Sequence, residues 1–381
     1  MYILLSLMLA LGLMYGFLLL RYRYGWMRLV SRPCPPPAAA FHTRVSVIIP
    51  ARNEAENIPP LLQALTAQQY PPHLLEIIII DDFSTDDTAA LVKACAAPYV
   101  RLLQMSEHFS IDQRLNAYKK KAIEIAIGIS TGDLIITTDA DCVMGPEWIA
   151  SIVQCYEFNR PKFIAAPVAF HREDTFFKQW QSLDFITMQG ITGAASALHS
   201  GSMCNGANLA YEKAVFYEVD GFHGIDNIAS GDDMLLMYKI FKVYPNSIEY
   251  IPREEAIVYT LPIDNWKGFM NQRIRWSSKA DKYDDKSLIR VLVIFYFWNV
   301  CLVVLPLCAL FMTALWWWWA GLCAYKILLE LYFLWPVTKF FKRRFLLKIL
   351  LPGQPLHILY VIMAGWLGKF GTYEWKGRRV K

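Results

Sequence analysis

Leu134-Ile135-Ile136-Thr137-Thr138-Asp139-Ala140-Asp141 reads as a buried strand that runs straight into two carboxylates one residue apart. Upstream, Glu76 to Asp81 repeats the pattern, with four consecutive isoleucines followed by Asp81 and Asp82. Val45-Ser46-Val47-Ile48-Ile49 is a third apolar run, ended by Pro50. Helical stretches separate these runs. One covers about Asn57 to Gln68, where Pro59 and Pro60 are tolerable only in the first turn. Ser84 to Asp87 cap another that continues to about Ala97. A short strand is expected at Val100 to Leu103, and a helix over Asn116 to Ser130, ended by Thr131-Gly132. Strands alternating with helices predict an α/β domain, a largely parallel sheet wrapped by helices, of about 240 residues. Ligands of such open sheets bind in the loops at the strand ends, where these acidic pairs lie.

The second half is less regular. Phe163 to Phe170 reads as one strand, and Asp174 to about Met188 as an amphipathic helix rich in Phe and Trp. Gly201 to Tyr211 reads as a turn-rich loop because it holds Gly201, Asn205, Gly206 and Asn208. Asp232 to Val243 reads as a helix with an acidic first turn, and Ile257 to Tyr259 as a short strand. Asp264 to Ser277 reads as a helix at a membrane surface.

The chain has 381 residues, 55% of them hydrophobic, and a mean hydropathy of +0.27. These values favour a globular domain plus membrane helices over two soluble domains. Tyr2 to Leu20 has Ser6 as its only clearly polar side chain and is long enough to cross a bilayer. Its basic flank (Arg21, Arg23, Arg28) follows the apolar run instead of preceding it, so a retained anchor is expected, with the next segment cytoplasmic. Val291 to about Phe311 and Met312 to Trp335 form two more spans, and Lys339, Lys342, Arg343 and Arg344 mark a return to the cytoplasmic side. The last apolar stretch, about Leu346 to Leu367, is broken by Lys348, Pro352, Gly353 and Pro355. An interfacial or re-entrant segment is preferred there, since a span would leave the basic end Lys376 to Lys381 outside. Lys326 and Glu330, at i and i+4, read as a mutually neutralised pair, with a substrate-lining polar site as the alternative. The eight cysteines show no CxxC or zinc spacing, which fits reduced thiols in a cytoplasmic domain. The net charge of +5 gathers at membrane flanks, which points to anionic lipid headgroups and not to nucleic acid.

The expected organisation is an anchor over 1–20, a basic and Pro-rich linker over 21–40 and a cytoplasmic domain over 41–263. An interfacial helix over 264–289, a membrane region over 290–370 and a basic tail over 371–381 follow.

Aspartates at i and i+2 in an extended loop project to one side, so Asp139 and Asp141 can share a hard cation that stabilises a leaving diphosphate. A surface acidic turn is the plainer alternative. Asp81 and Asp82 can start a helix, or they can hold a nucleotide, Asp82 bonding the base with Asp81 in support. In Lys119-Lys120-Lys121 one lysine can face a phosphate, Lys120 or Lys121 in preference to Lys119; a solvated helix start is the alternative. Asp232 and Asp233 suit a helix N-terminus without any catalysis, and one of them suits proton acceptance from an attacking hydroxyl. Gln272, Arg273, Arg275 and Trp276 read either as a surface helix with a snorkelling arginine or as a guanidinium for diphosphate beside an indole for a sugar ring or acyl chain.

Taken in order, Pro50-Ala51-Arg52-Asn53-Glu54, Asp81-Asp82-Phe83-Ser84-Thr85-Asp86, Asp139-Ala140-Asp141, Gly231-Asp232-Asp233 and Gln272-Arg273-Ile274-Arg275-Trp276 resemble the family 2 inverting glycosyltransferases over nearly the whole chain. The similarity is to the membrane-bound branch of ceramide glucosyltransferases and of poly-N-acetylglucosamine, cellulose and hyaluronan synthases. The resemblance implies a GT-A fold, a Rossmann-like nucleotide-sugar-binding domain, with transmembrane helices, in a bacterial inner membrane. It places Ala51, Arg52 and Glu54 in the nucleotide pocket and Asp82 on uracil. Asp141 would ligate Mg2+ or Mn2+, and Asp139 the ribose or metal shell. Asp233 would be the general base. Gln272, Arg273, Arg275 and Trp276 would close over diphosphate and acceptor. The family commonly has Glu-Asp where this chain has Asp232-Asp233, and Gly where it has Lys119. The expected reaction moves a sugar from a UDP-sugar to a lipid-linked hydroxyl at the cytoplasmic membrane face. A processive polysaccharide synthase, with a glycan acceptor, and a silent nucleotide-sugar-binding scaffold are the alternatives. Val291 to Trp335 has few polar residues with which to line a polymer channel, which favours the lipid acceptor.

Overall fold

The computed structural model describes every residue except 1, 34–39, 110–117, 201–202, 227, 229–230, 280–285, 372, 376–377 and 381. The chain opens with helix α1 (Tyr2–Val30), followed by β1 (Val45–Ala51), α2 (Ile58–Thr66), β2 (Leu75–Asp81), α3 (Thr88–Lys93) and β3 (Val100–Gln104). Next come α4 (Tyr118–Ile129), β4 (Leu134–Thr137), β5 (Val143–Met144), α5 (Trp148–Asn159), β6 (Phe163–Ala165) and β7 (Val168–Phe170). Then follow α6 (Phe176–Ala197), β8 (Leu209–Glu212), α7 (Lys213–Glu218), α8 (Met234–Val243), β9 (Ile248–Tyr250) and β10 (Val258–Thr260). The chain closes with α9 (Trp266–Ser277), α10 (Lys286–Ala309), α11 (Leu315–Phe340), α12 (Leu347–Phe370), β11 (Tyr373–Trp375) and β12 (Arg378–Val380).

Two compact units emerge. One comprises Arg32–His171 and Met203–Leu261, the other Met1–Ser31, Arg172–Ser202 and Pro262–Lys381. Helix α6, expected inside a continuous 41–263 domain, therefore belongs with the long apolar helices.

The first unit is built on a seven-stranded sheet in the order β3-β2-β1-β4-β8-β6-β9. Its parallel part pairs β1 with β2 and β4, and β2 with β3. Every residue of β2 is buried, which is why this strand is an unbroken isoleucine run without alternation. Because β2, β1 and β4 are adjacent and parallel, the loops after Asp81, Ala51 and Thr137 leave from one edge. Topology thus brings three sequence-distant motifs together.

The opposite edge is locked by Glu76. Its carboxylate accepts from the Ser46 hydroxyl (2.7 Å), the Thr131 N–H (2.9 Å) and Arg101 (2.7 Å). Burial works against that charge, but these donors outweigh it and hold Glu76 below the usual carboxylate range. The Gly132 N–H donates to Ser46 Oγ at 2.8 Å. A Cβ on Gly132 would fall 2.4 Å from Ser46 N, so this turn requires glycine.

Two expectations change here. Phe163 to Phe170 is two strands, β6 in the large sheet and β7 in a second sheet ordered β5-β10-β7. Pro167 stands between them and has no N–H with which to continue a ladder. The expected loop Gly201 to Tyr211 contains β8, antiparallel to both β4 and β6. Its Leu209, Ala210 and Tyr211 are buried. Residues 116–117 of the expected helix and 201–202 of that loop lie outside the described residues.

In the second unit, among the described residues, four helices are long and apolar enough to cross a membrane: Leu5–Val30, Lys286–Ala309, Leu315–Phe340 and Arg344–Phe370. The first continues ten residues past Leu20, through its basic flank. In the last, expected as an interfacial or re-entrant segment, α12 runs unbroken through Pro352 and Pro355 and is long enough to span. Both prolines lie in its first half, and neighbouring helices allow such residues within a span. Gly353 lets α6 approach α12: a Cβ there would sit 2.5 Å from Trp180 Cδ1, and the Trp180 indole donates to the Gly353 carbonyl at 3.2 Å. Lys326 and Glu330 form the ion pair that their spacing implies. Gln354 and Tyr15 complete a buried cluster, with Tyr15 donating to Glu330 at 2.7 Å. Three helices are thereby cross-linked by polar groups that satisfy one another.

Candidate active site

The loops after β1 and β2 are knitted together. The Asp82 N–H donates to the Ala51 carbonyl (2.8 Å), and Arg52 donates to the Asp82 carbonyl (2.7 Å) while lying 3.8 Å from Asp82 Oδ1. Asn53 adopts φ +53, a left-handed conformation that Asn tolerates better than most residues. From there its N–H donates to Ser84 Oγ (3.0 Å) and its side chain accepts the Thr85 N–H (2.8 Å). The Glu54 N–H donates to Thr88 Oγ1 (2.8 Å) and the Ala55 N–H to Asp86 (3.1 Å). Asp81 is buried and accepts the Ser84 N–H at 3.3 Å. Ala51, Arg52, Glu54, Asp81 and Asp82 thus share one edge, clasped by Asn53, Ser84, Asp86 and Thr88; the sequence motifs contained the first three without assigning them this role, and Thr88 was not singled out.

Beside this clasp lies a cluster of carboxylates. Asp141 accepts the Thr260 hydroxyl at 3.1 Å and faces the Cys142 thiol at 3.6 Å. Burial, then the charges of Asp139 and Glu54, raise Asp141 above the usual carboxylate range; the two hydrogen bonds oppose the rise. Burial likewise pushes the Cys142 thiol well up, with Asp141 and Asp139 adding to it. A carboxylate set under such mutual repulsion is suited to a cation. Among the described residues no three His, Cys, Asp or Glu side chains converge as a complete metal cage. The oxygen donors of Asp139 and Asp141 are nevertheless of the type that suits a hard divalent ion.

One ammonium links this cluster to the later acidic pair. Lys119 Nζ lies 2.9 Å from Asp139 and 3.1 Å from Asp232. Burial disfavours its charge, but Asp139 and Asp232 outweigh that and hold it above the usual lysine range. Asp233 caps α8: one carboxylate oxygen accepts the Met234 N–H (2.7 Å) and the other the Gly206 N–H (3.1 Å). Each oxygen keeps a further lone-pair direction.

The lysine expectation is corrected by this geometry, since Lys119 is the residue at the carboxylates. Lys120 is buried and donates to backbone carbonyls at Ile225 and Ile228. Lys121 pairs with Glu124 at 2.7 Å.

Within its own unit, α9 shows what Arg273 does. Its guanidinium donates to Asp184 on α6 at 2.8 Å, with both side chains almost wholly buried. It lies over the rings of Phe269 and Trp276 at 4.6 and 4.3 Å, and Tyr360 of α12 donates to the same aspartate. Gln272 accepts from Arg273 at 3.0 Å, while Arg275 and Trp276 remain half-buried. Asp184 and Tyr360 were not singled out from sequence. Arg273→Met is expected to lower stability by about 3–5 kcal/mol, because it strands a buried carboxylate. The double change Arg273→Met with Asp184→Leu should recover most of the loss. Unfolding midpoints in detergent measure both, and a wild-type midpoint for the single variant refutes the assignment.

Comparison with known proteins adds the following. The model for Glycosyl transferase family 2 matches residues 46–220, and that for Glycosyl transferase family group 2 matches residues 134–340. The chain is 33% identical over 153 residues to the undecaprenyl-phosphate 4-deoxy-4-formamido-L-arabinose transferase of Pseudomonas fluorescens (strain SBW25), covering 40% of this chain and 43% of that protein. It is 27% identical over 241 residues to the probable glycosyltransferase YdaM of Bacillus subtilis (strain 168), covering 61% of this chain and 54% of that one. These matches span about half the length of each relative. In structure it is similar to the mannosyltransferase PcManGT from Pyrobaculum calidifontis, solved in complex with GDP-Man and Mn2+. The TM-score is 0.59 at 20% identity, over 93% of this chain and 99% of that one.

Proposed function

The chain belongs to the family 2 glycosyltransferases, and from that premise we propose an inverting transfer of a sugar from a UDP-sugar to a lipid-linked hydroxyl at the cytoplasmic membrane face. The observation that carries the proposal is the single ammonium of Lys119, 2.9 Å from Asp139 and 3.1 Å from Asp232. It unites the strand-end carboxylates of a donor site with the acidic helix cap of an acceptor site.

Ala51, Arg52, Glu54, Asp81 and Asp82 hold the nucleotide, Asp82 meeting the base. Asp141 and Asp139 hold Mg2+ or Mn2+. When bound, the ion supplies charge stabilisation to the departing diphosphate. Asp233 accepts the proton of the acceptor hydroxyl as its oxygen attacks the anomeric carbon; the bond from that carbon to the diphosphate breaks on the opposite face, and the configuration inverts. Lys119 keeps Asp139 and Asp232 from repelling each other before the donor arrives. Gln272, Arg275 and Trp276 act on diphosphate and acceptor, as the resemblance implies, while Arg273 braces their helix.

Four apolar helices and a relative named for undecaprenyl-phosphate support a lipid-linked acceptor. The test incubates enzyme in native-lipid nanodiscs with UDP-glucose, UDP-galactose or UDP-N-acetylglucosamine, with GDP-mannose as a rival donor. Mass spectrometry then reads the products. A lipid gaining one or two sugars supports the proposal; a long polymer without lipid overturns the acceptor, and turnover of GDP-mannose alone overturns the donor.

A further inference from the structure

Two lysines converge on the backbone that leads into Asp232 and Asp233. Lys120 of α4 is only 2% exposed and donates to the carbonyls of Ile225 (2.6 Å) and Ile228 (2.8 Å). Lys239 of α8 donates to the carbonyls of Asp220 (3.3 Å), Gly221 (2.8 Å) and His223 (2.9 Å). This stretch turns sharply, with φ of +55 at Asp220, +44 at Gly221, +81 at Gly224 and +83 at Gly231. Such a backbone exposes carbonyls that no regular element satisfies.

Burying an ammonium is costly unless strong acceptors receive it. A methionine would fill the same volume without that cost, so simple packing does not account for a lysine at position 120. Position 120 shares a helix with Lys119, whose own ammonium holds Asp139 and Asp232. The first turn of α4 therefore holds both the approach to the acidic pair and Asp232 itself, beside Asp139 in the loop after β4. Lys239 holds the same stretch from α8, the helix that Asp233 caps.

Resting on the reading of Asp233 as general base, we infer that Lys120 and Lys239 are positioning residues, which strap the carbonyls of Asp220, Gly221, His223, Ile225 and Ile228 and so set Asp233 for proton acceptance. Neither lysine touches the reacting atoms. A displacement of the base by about 1 Å is enough to cost on the order of 100-fold in rate.

The test uses the full chain in nanodiscs, with Lys120→Met, Lys239→Met and Asp233→Asn side by side. UDP affinity in Mn2+ is measured by calorimetry and kcat by nucleotide release. Hydrogen exchange is followed at the amides of Gly206 and Met234, the two donors to Asp233. The expected result for Lys120→Met is a kcat lower by about 100-fold, unchanged UDP affinity, and faster exchange at Gly206 and Met234 with β2 amides unaffected. Weakened UDP affinity with unchanged exchange overturns the inference in favour of a phosphate contact. Unchanged kcat and exchange overturn it in favour of packing. If Lys120→Met does not fold, Lys239→Met is judged on the same three readouts. If Asp233→Asn keeps its rate, the base reading fails, and exchange at Gly206 and Met234 alone judges the strap.

Discussion

Asp233→Asn is expected to lower kcat by about 1,000-fold while leaving UDP and Mn2+ affinity unchanged. Asparagine is the informative replacement because position 233 has two separable duties. It caps α8 through the Met234 N–H, and Asn serves that role about as well as Asp. It also accepts the Gly206 N–H, a contact whose loss costs about 1 kcal/mol. Fold and cap therefore survive, whereas the amide oxygen cannot take the acceptor's proton. Single-turnover rates and calorimetry on the same preparation separate the two duties. A variant within a few-fold of wild type in kcat removes Asp233 as the base and turns attention to Asp232.

Asp141→Asn is expected to fail earlier, at donor binding, with Mn2+-dependent UDP affinity falling by at least about 100-fold. Chelation of the wild type should reproduce the loss, and added Mn2+ should restore the wild type only. The sign of the stability change tells this role from a structural one. Asp141 is half-buried, and its desolvation together with the charges of Asp139 and Glu54 pushes its carboxyl toward the neutral form. An amide relieves that repulsion and can still accept the Thr260 hydroxyl. Without donor the variant should melt no lower than wild type, while its stabilisation by UDP with Mn2+ disappears. A lower melting point without ligand and intact UDP binding would show that Asp141 only supports the fold.

Much of this site was legible before any coordinates. Runs such as Ile77 to Ile80 and Leu134 to Ile136 suit strands covered on both faces, and acidic residues at their ends mark the loop edge of a parallel sheet. The helix phase of the lysine run was also there to be read. Lys120 shares a face with the buried Ile123 and Ile127 at i+3 and i+7, so it points inward and leaves Lys119 for the carboxylates.

Other features were not legible. The strand Leu209–Glu212 hid behind Asn205, Gly206 and Asn208, because turn residues outweigh three apolar positions in any local window. Asn208 is in fact buried, receiving the Trp148 indole and donating to the carbonyls of Pro167 and Ala256. Asp184 gave no sign that its partner is Arg273, 89 residues away. The helix Leu347–Phe370 carries prolines that locally argue against it, and its neighbours in the bundle override them. What the sequence determined by itself rests on periodicity and strand-end chemistry, which act between residues a few positions apart. Only the tertiary structure decided which buried charges meet, because burying a charge demands a partner without specifying where along the chain that partner lies.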